Sequence, residues 1–420
     1  MNVFFGKRQI ISIVVLLITI SLPIKSQNSL HKILNENKAY FDSLISNPDY
    51  DVQIIYTQID RDISNAPIFT THKVNVDSKK YFYPASTVKL PACILALEKL
   101  NRLNISGINK FTSLKIDSTF NNQDFVIYDS SSSNNLPSIA NYIKKILLVS
   151  DNDAFNRLYE FIGQEEFNQS LWNKNFKNLK INSRLALGYS EKDNRHTNKF
   201  TFFDGKNIIY ERAAQYSQFE FKFDLLNLKR GIGYYAGNKL ITEPKKFSHT
   251  NYFSLEDQHE MLKRLFFPNS FVSSKRFDLS ISDYDFLYKY MSMLPRESEF
   301  KEYKNEDYWD SYVKFFMFGD TKEQIPNQIR IFNKVGEAYG FIIDNAYVVD
   351  FENSVEFLLS AVIHVNRNQI YNDDKYEYDE IAFPFMAKLG QAVYNYELNR
   401  APKKKPDLQI LREITNKNIN

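Results

Sequence analysis

The sequence predicts a two-domain α+β / α/β protein: an α/β domain assembled from both chain ends, with a helical domain inserted between them. Three observations predict it. Near the start, a helical stretch is followed by two strand-like segments. Near the end, three strand-like segments are followed by a long helical stretch. Between them, apolar residues recur mainly at helical spacing.

The elements follow in chain order. Residues 28–47 read as a helix packed through Leu30, Ile33, Leu34, Tyr40, Phe41 and Leu44. Strands are expected over 52–59 and 68–76, and Tyr81 to Pro84 leads into a helix from about 85 to 100. Pro91 removes a backbone donor early in that helix, so its first turn is expected to be tight or bent. In the middle, helices are expected over 139–149, 153–162, 255–266 and 283–294. Segments 329–334, 340–351 and 355–365 are rich in Ile, Val, Phe and Tyr and are joined by short turns, which predicts three strands. A helix over about 378–399 closes the ordered part. The expected division is therefore a leader at 1–26, an α/β domain from 27–105 and 325–400, a helical domain at 106–324 and a polar tail at 401–420.

Composition narrows the class. A chain of 420 residues with 43% hydrophobic and 25% charged residues is globular and long enough for more than one core. The net charge of +3 is too small to point to nucleic acid or an acidic surface as partner. Lys403, Lys404 and Lys405, between Pro402 and Pro406, read as a solvated tail. At the start, Lys7 and Arg8 precede an apolar run from Ile10 to Leu22, Pro23 ends it, and Ser26-Gln27 offers a small residue for cleavage. This is the layout of a secretory signal, and it predicts a secreted or periplasmic protein. An uncleaved membrane anchor is the alternative. Cys93 is the single cysteine, so no internal disulfide forms; its apolar surroundings suggest a buried small hydrophobe. His259-Glu260 lacks a second histidine four residues on, and neither a metal nor a cofactor motif emerges.

Chemistry first shows at Ser86-Thr87-Val88-Lys89. Helical residues three apart share a face, and a serine hydroxyl needs a base to become a nucleophile. Lysine serves as base only when neutral, which burial and a second nearby cation favour. Ser-x-x-Lys also occurs at Ser29/Lys32, Ser298/Lys301 and Ser311/Lys314. Ser86 stands apart because it leaves a strand-like segment at Tyr83-Pro84-Ala85 and opens an apolar helix. The second element, Ser150-Asp151-Asn152, lies between two helical stretches. It reads both as a helix cap through Asp151 and as a loop aiming Ser150 and Asn152 into a cleft. The third is Lys334-Val335-Gly336 on a strand, where Gly336 would admit a ligand close to the backbone. Lys229-Arg230-Gly231 repeats the pattern but is not followed by consecutive strands.

Taken in order, these three motifs resemble the signature of class A β-lactamases and penicillin-binding proteins. The resemblance covers about 28–165 and 325–400. It implies an antiparallel sheet flanked by N- and C-terminal helices, packed on a helical domain, with the site between them. It implies that Ser86 is acylated, Lys89 acts as base or proton carrier, and Ser150 relays protons to the leaving nitrogen. Asn152 would hold the substrate amide and Lys89, and Lys334 would attract a substrate carboxylate. The backbone N–H groups of Ser86 and Glu337 would form the oxyanion hole.

Two departures stand out. The family usually carries a hydroxyl residue where this chain has Val335. The family's deacylating glutamate also lacks a counterpart with its usual Glu-x-x-x-Asn spacing; Glu191 and Asp193 are the nearest acidic candidates. Ser150 and Lys334 stand unusually far apart, which implies an insertion within 200–324, including Phe- and Tyr-rich stretches at 219–223 and 312–318. These either shape the pocket or simply pack. The expected activity is β-lactam hydrolysis through an acyl-enzyme. The alternatives are a peptidase or esterase on cell-wall peptides, or a non-catalytic relative that binds cell-wall fragments. The partner is thus a small-molecule or peptide substrate, and the oligomeric state stays open.

Overall fold

The computed structural model describes residues 28–120, 123–400 and 404–416; the leader at 1–26 lies outside them. Its centre is a five-stranded antiparallel sheet. In chain order the strands are β1 (Gln53–Arg61), β2 (Pro67–Val74), β3 (Ile329–Ala338), β4 (Phe341–Asp350) and β5 (Val355–His364). Their spatial order is β3-β4-β5-β1-β2, so the two chain ends meet where β5 pairs with β1, Ile55 opposite Ser360. All five strands stand where the sequence predicted them, and β3 runs four residues further, past Lys334 to Ala338. Every residue of β4 and β5 is buried. Strands covered on both faces lose the polar alternation of a half-exposed strand and read as continuous apolar runs.

One face is covered by α1 (Ser29–Glu36), α2 (Lys38–Ser46) and, from the other chain end, α8 (Phe383–Asn399). Leu30, Ile33 and Phe41 pack with Phe385, Leu389 and Val393 against sheet residues such as Tyr56, Ala346 and Leu359. The predicted helix over 28–47 is broken at Asn37, which caps the first half and starts the second. The other face carries α3 (Lys89–Leu103), α4 (Ile139–Val149), α5 (Asn152–Ile162), α6 (Leu255–Phe266) and α7 (Ile281–Ser292). These share a core with Phe332, Tyr347 and Leu358 of the sheet.

Helix α6 keys the inserted segment to the sheet. His259 on α6 bridges two strands, its Nε2 2.7 Å from Thr57 Oγ1 and its Nδ1 2.8 Å from Ser360 Oγ. Burial holds this imidazole well below the ordinary histidine pKa, so it bridges in its neutral form.

The middle of the chain holds more than helices. Short strands pair locally: Ser113–Ile116, Phe200–Asp204 and Asn207–Arg212 form one small sheet, and Gly233–Ala236 with Lys239–Ile241 form a hairpin. The C-terminal segment also departs from a purely polar tail. Helix α9 (Gln409–Asn416) buries Ile414 and Thr415, and Leu408 joins the main core.

Candidate active site

Ser86 sits in a tight turn that precedes α3. Residues Ala85–Val88 form one turn of 3-10 helix, and the α-helix proper begins at Lys89. Pro91 therefore falls in the first α-helical turn, where a missing N–H costs no helical bond. Ala85 has φ +47°, a left-handed conformation that costs a residue with a Cβ about 1–2 kcal/mol. The turn is closed by the Thr87 N–H and the Thr87 hydroxyl, both donating to the Pro84 carbonyl at 3.1 and 2.7 Å.

Strand β3 presses against this turn at Gly336. A Cβ there would lie 2.7 Å from the Pro84 carbonyl oxygen, 3.1 Å from Thr87 Cγ2 and 3.2 Å from the Ala85 Cβ. The expected role for Gly336 is thereby corrected. The backbone that approaches this glycine is the chain's own serine turn, so Gly336 sets the position of Ser86 relative to β3.

The loop between α4 and α5 supplies the opposite wall. Ser150 ends α4 in a left-handed conformation (φ +60°), and Asp151 caps α5 by accepting from the Ala154 N–H at 2.7 Å. The cap frees Ser150 and Asn152 to face Lys89, so the two readings of this tripeptide hold together. Lys89 Nζ donates to the Ser150 carbonyl and to Asn152 Oδ1, the latter at 2.7 Å, and lies 3.2 Å from Ser150 Oγ. Lys334 Nζ reaches the same hydroxyl from β3 at 2.8 Å and donates to the Val335 carbonyl at 3.0 Å. Two amines thus converge on one serine hydroxyl.

The electrostatics follow from burial. Lys89 has no exposed surface and Lys334 only 3%. Desolvation pushes the Lys89 amine well below the ordinary lysine pKa; the nearby Lys334 pushes the same way, and Asp151 opposes weakly. Desolvation lowers Lys334 to about 7, against the pull of Asp344. Near neutral pH this arrangement offers a neutral amine beside a hydroxyl, which is what proton transfer from serine requires.

Half-buried Ser86 opens onto a cleft of about 790 Å³, which Ser150, Asn152, Val335 and Glu337 also line. Val335 is 4% exposed and packs with the core on the α8 side of the sheet. The far side of the cleft comes from residues 309–322 and the start of α8, including Trp309, Tyr312 and Phe383. The sequence offered only the aromatic richness of 312–318 as a sign of this wall. Asp320 and Asp379, also in the cleft lining, gave no sign at all.

The remaining candidates lie elsewhere. Glu191 pairs with the exposed His249, and the Asp193 carboxylate is held in a capping box by Ser190; neither lines the cleft. The expectation that one of them serves deacylation is thus corrected: both carboxylates belong to the short helix Glu191–Arg195 and its cap. The rival Ser311/Lys314 pair is split. Ser311 donates to the Thr321 carbonyl, while buried Lys314 donates to the Met291 carbonyl and Asn333 Oδ1. The Lys229-Arg230-Gly231 repeat lines a separate cavity of about 450 Å³, where Arg230 is paired with Asp51. The Phe-rich stretch at 219–223 packs on Trp172.

Solved structures similar to this chain include that of PBP-A, at 13% identity and a TM-score of 0.49, covering 88% of this chain and 96% of that one. A β-lactamase from Chitinophaga pinensis DSM 2588 is 12% identical at a TM-score of 0.49, with 88% and 99% covered. One from Desulfarculus baarsii DSM 2075 is 12% identical at 0.48, with 89% and 99% covered. No curated protein matches significantly. The model of the beta-lactamase enzyme family matches residues 41–275, more than half the chain and the part that carries Ser86, Lys89, Ser150 and Asn152. With that match over the segment that builds the serine turn and the facing loop, the chain belongs to the beta-lactamase enzyme family.

Proposed function

We propose that the protein is a serine hydrolase that opens amide bonds through an acyl-enzyme on Ser86, with β-lactam hydrolysis as the reference reaction. The observation that carries this reading is the convergence of Lys89 and Lys334 on the Ser150 hydroxyl beside the Ser86 turn. In the proposed cycle, Ser86 Oγ attacks the substrate carbonyl and its proton passes to neutral Lys89. The oxyanion is held by the backbone N–H groups of Ser86 and Glu337; losing one such donor costs about 3–4 kcal/mol. The C–N bond then breaks, and the nitrogen takes a proton relayed from Lys89 through Ser150. Asn152 fixes Lys89 and the substrate amide. Water finally cleaves the Ser86 ester, releasing the acid and restoring the hydroxyl.

A second reading is a penicillin-binding-type enzyme that acylates and deacylates slowly, acting as a peptidase or esterase on cell-wall peptides. Val335 and the distant positions of Glu191 and Asp193 favour it. Export through the leader is proposed with both readings, and N-terminal sequencing of the mature protein checks it. A fluorescent penicillin and a chromogenic cephalosporin test the activity together. Labelling with turnover, both lost in Ser86→Ala, supports the hydrolase. Labelling without turnover supports the second reading. Silence toward both, and toward ester and peptide panels, contradicts acyl-enzyme chemistry and leaves a binding relative.

A further inference from the structure

Resting on the proposed Ser86 chemistry, we propose that the cleft is built for an acyl donor that carries a positive charge, an alkylammonium or guanidinium group, and selects against the carboxylate-bearing donors that the sequence resemblance suggests. The argument begins with where the cations are. Neither Lys89 nor Lys334 contributes to the lining of the cleft; both amines are buried behind Ser150 and spend their contacts on Ser150, Asn152 and the Val335 carbonyl. A carboxylate approaching Ser86 meets the Val335 side chain, which donates no hydrogen bond.

The groups that do face the cleft have the opposite sign. Asp320, Glu337 and Asp379 line it with exposed side chains, and none forms a salt bridge with a described lysine or arginine. Glu337 and Asp379 are close enough for each other's charge to matter: Asp379 works with partial burial to raise the Glu337 pKa. Against these three carboxylates the lining holds one cationic side chain, Lys322. Its ammonium sits over the Trp309 ring, 4.2 Å from the centroid. The cleft's aromatic wall thus already holds a cation in the manner such rings favour, and Tyr312 and Phe383 extend it. A cleft with like-signed walls concentrates counter-charged ligands and repels others, to an extent that salt reduces.

Matched p-nitrophenyl esters of 6-aminohexanoate, hexanoate and adipate differ in charge and little else. With each, Ser86 Oγ gains the acyl carbon as the bond to p-nitrophenolate breaks, and water releases the acid. The full chain should turn over the cationic ester with at least about tenfold higher kcat/KM than the anionic one at low salt, with the neutral ester between. The ratio should shrink in high salt and approach one in an E337Q/D379N double variant. Equal rates, or preference for adipate, overturn the charge selection while leaving the serine chemistry in place. Calorimetric titration of Ser86→Ala with hexylamine and with hexanoate separates the two claims. Tighter hexylamine binding without any Ser86-dependent turnover defeats the hydrolase reading and keeps the cation site. No preference for hexylamine defeats the site.

Discussion

Substituting Gly336 by alanine tests whether β3 positions the nucleophile. The new Cβ would stand 2.7 Å from the Pro84 carbonyl oxygen and 3.1–3.2 Å from Thr87 Cγ2 and the Ala85 Cβ. The nearest of these is backbone, and the Pro84 carbonyl is already held by the Thr87 N–H and hydroxyl. On the other side, Gly336 is in register with Ile343 of β4, so the strand cannot simply retreat. Overpacking of this kind costs about 1–3 kcal/mol. Part of the strain is relieved by moving the serine turn, whose Ala85 is already left-handed. A displacement approaching 1 Å at a reacting atom lowers rates by about 100-fold. Gly336→Ala should therefore lose modest stability in denaturant unfolding, yet label at Ser86 with a fluorophosphonate or penicillin about 100-fold more slowly. Gly188→Ala is the control, since nothing lies within 4 Å of its added Cβ. Wild-type labelling by Gly336→Ala at unchanged stability would refute the idea that this contact sets the geometry.

Other perturbations read the same site. Lys89→Met should slow acylation by about 10²–10⁴-fold, the usual contribution of a positioned base; a loss under tenfold in stopped-flow labelling would remove Lys89 from that role. Because Lys334 repels the protonated form of Lys89, Lys334→Met should raise the Lys89 pKa and move the acid limb of the labelling rate to higher pH. An unmoved limb would show that the two amines are not coupled. In wild type that limb should lie far below 10.4, the ordinary lysine value. Stability should also fall on acidification. His364 is held at about 4 and His259 well below its ordinary value, chiefly by burial, so the unfolded chain binds more protons than the folded one below about pH 6.5. The loss attributable to His364 should be on the order of 3 kcal/mol between pH 6.5 and 4, measurable by urea unfolding; a flat profile there would contradict the neutral His259 bridge as well.

The sequence carried the site further than it carried the surroundings. Ser86, Lys89, Ser150, Asn152 and Lys334 were legible because each stands at an element boundary with a sharp signal: a strand leading into a helix, a cap between helices, an apolar strand. The five main strands were legible for a similar reason, being long apolar runs with short turns. The short strands between residues 113 and 253 were not, because most have two to six residues and pair only locally. The wall formed by Trp309, Tyr312 and Asp320 comes from irregular chain with no periodicity to read, and Asp379 lies in a π-helical turn ahead of α8. Gly336 was singled out correctly as a close-approach position, but sequence alone does not say whether a ligand or the serine turn makes the approach.

The central claim is that Ser86 forms a covalent acyl bond. Intact-mass spectrometry with peptide mapping, after exposure of wild type and Ser86→Ala to penicillins and activated esters, measures this directly. The account predicts a mass increase equal to one acyl group, carried on the peptide containing Ser86 and absent from the variant. An adduct on another residue, or none from any donor, would contradict it.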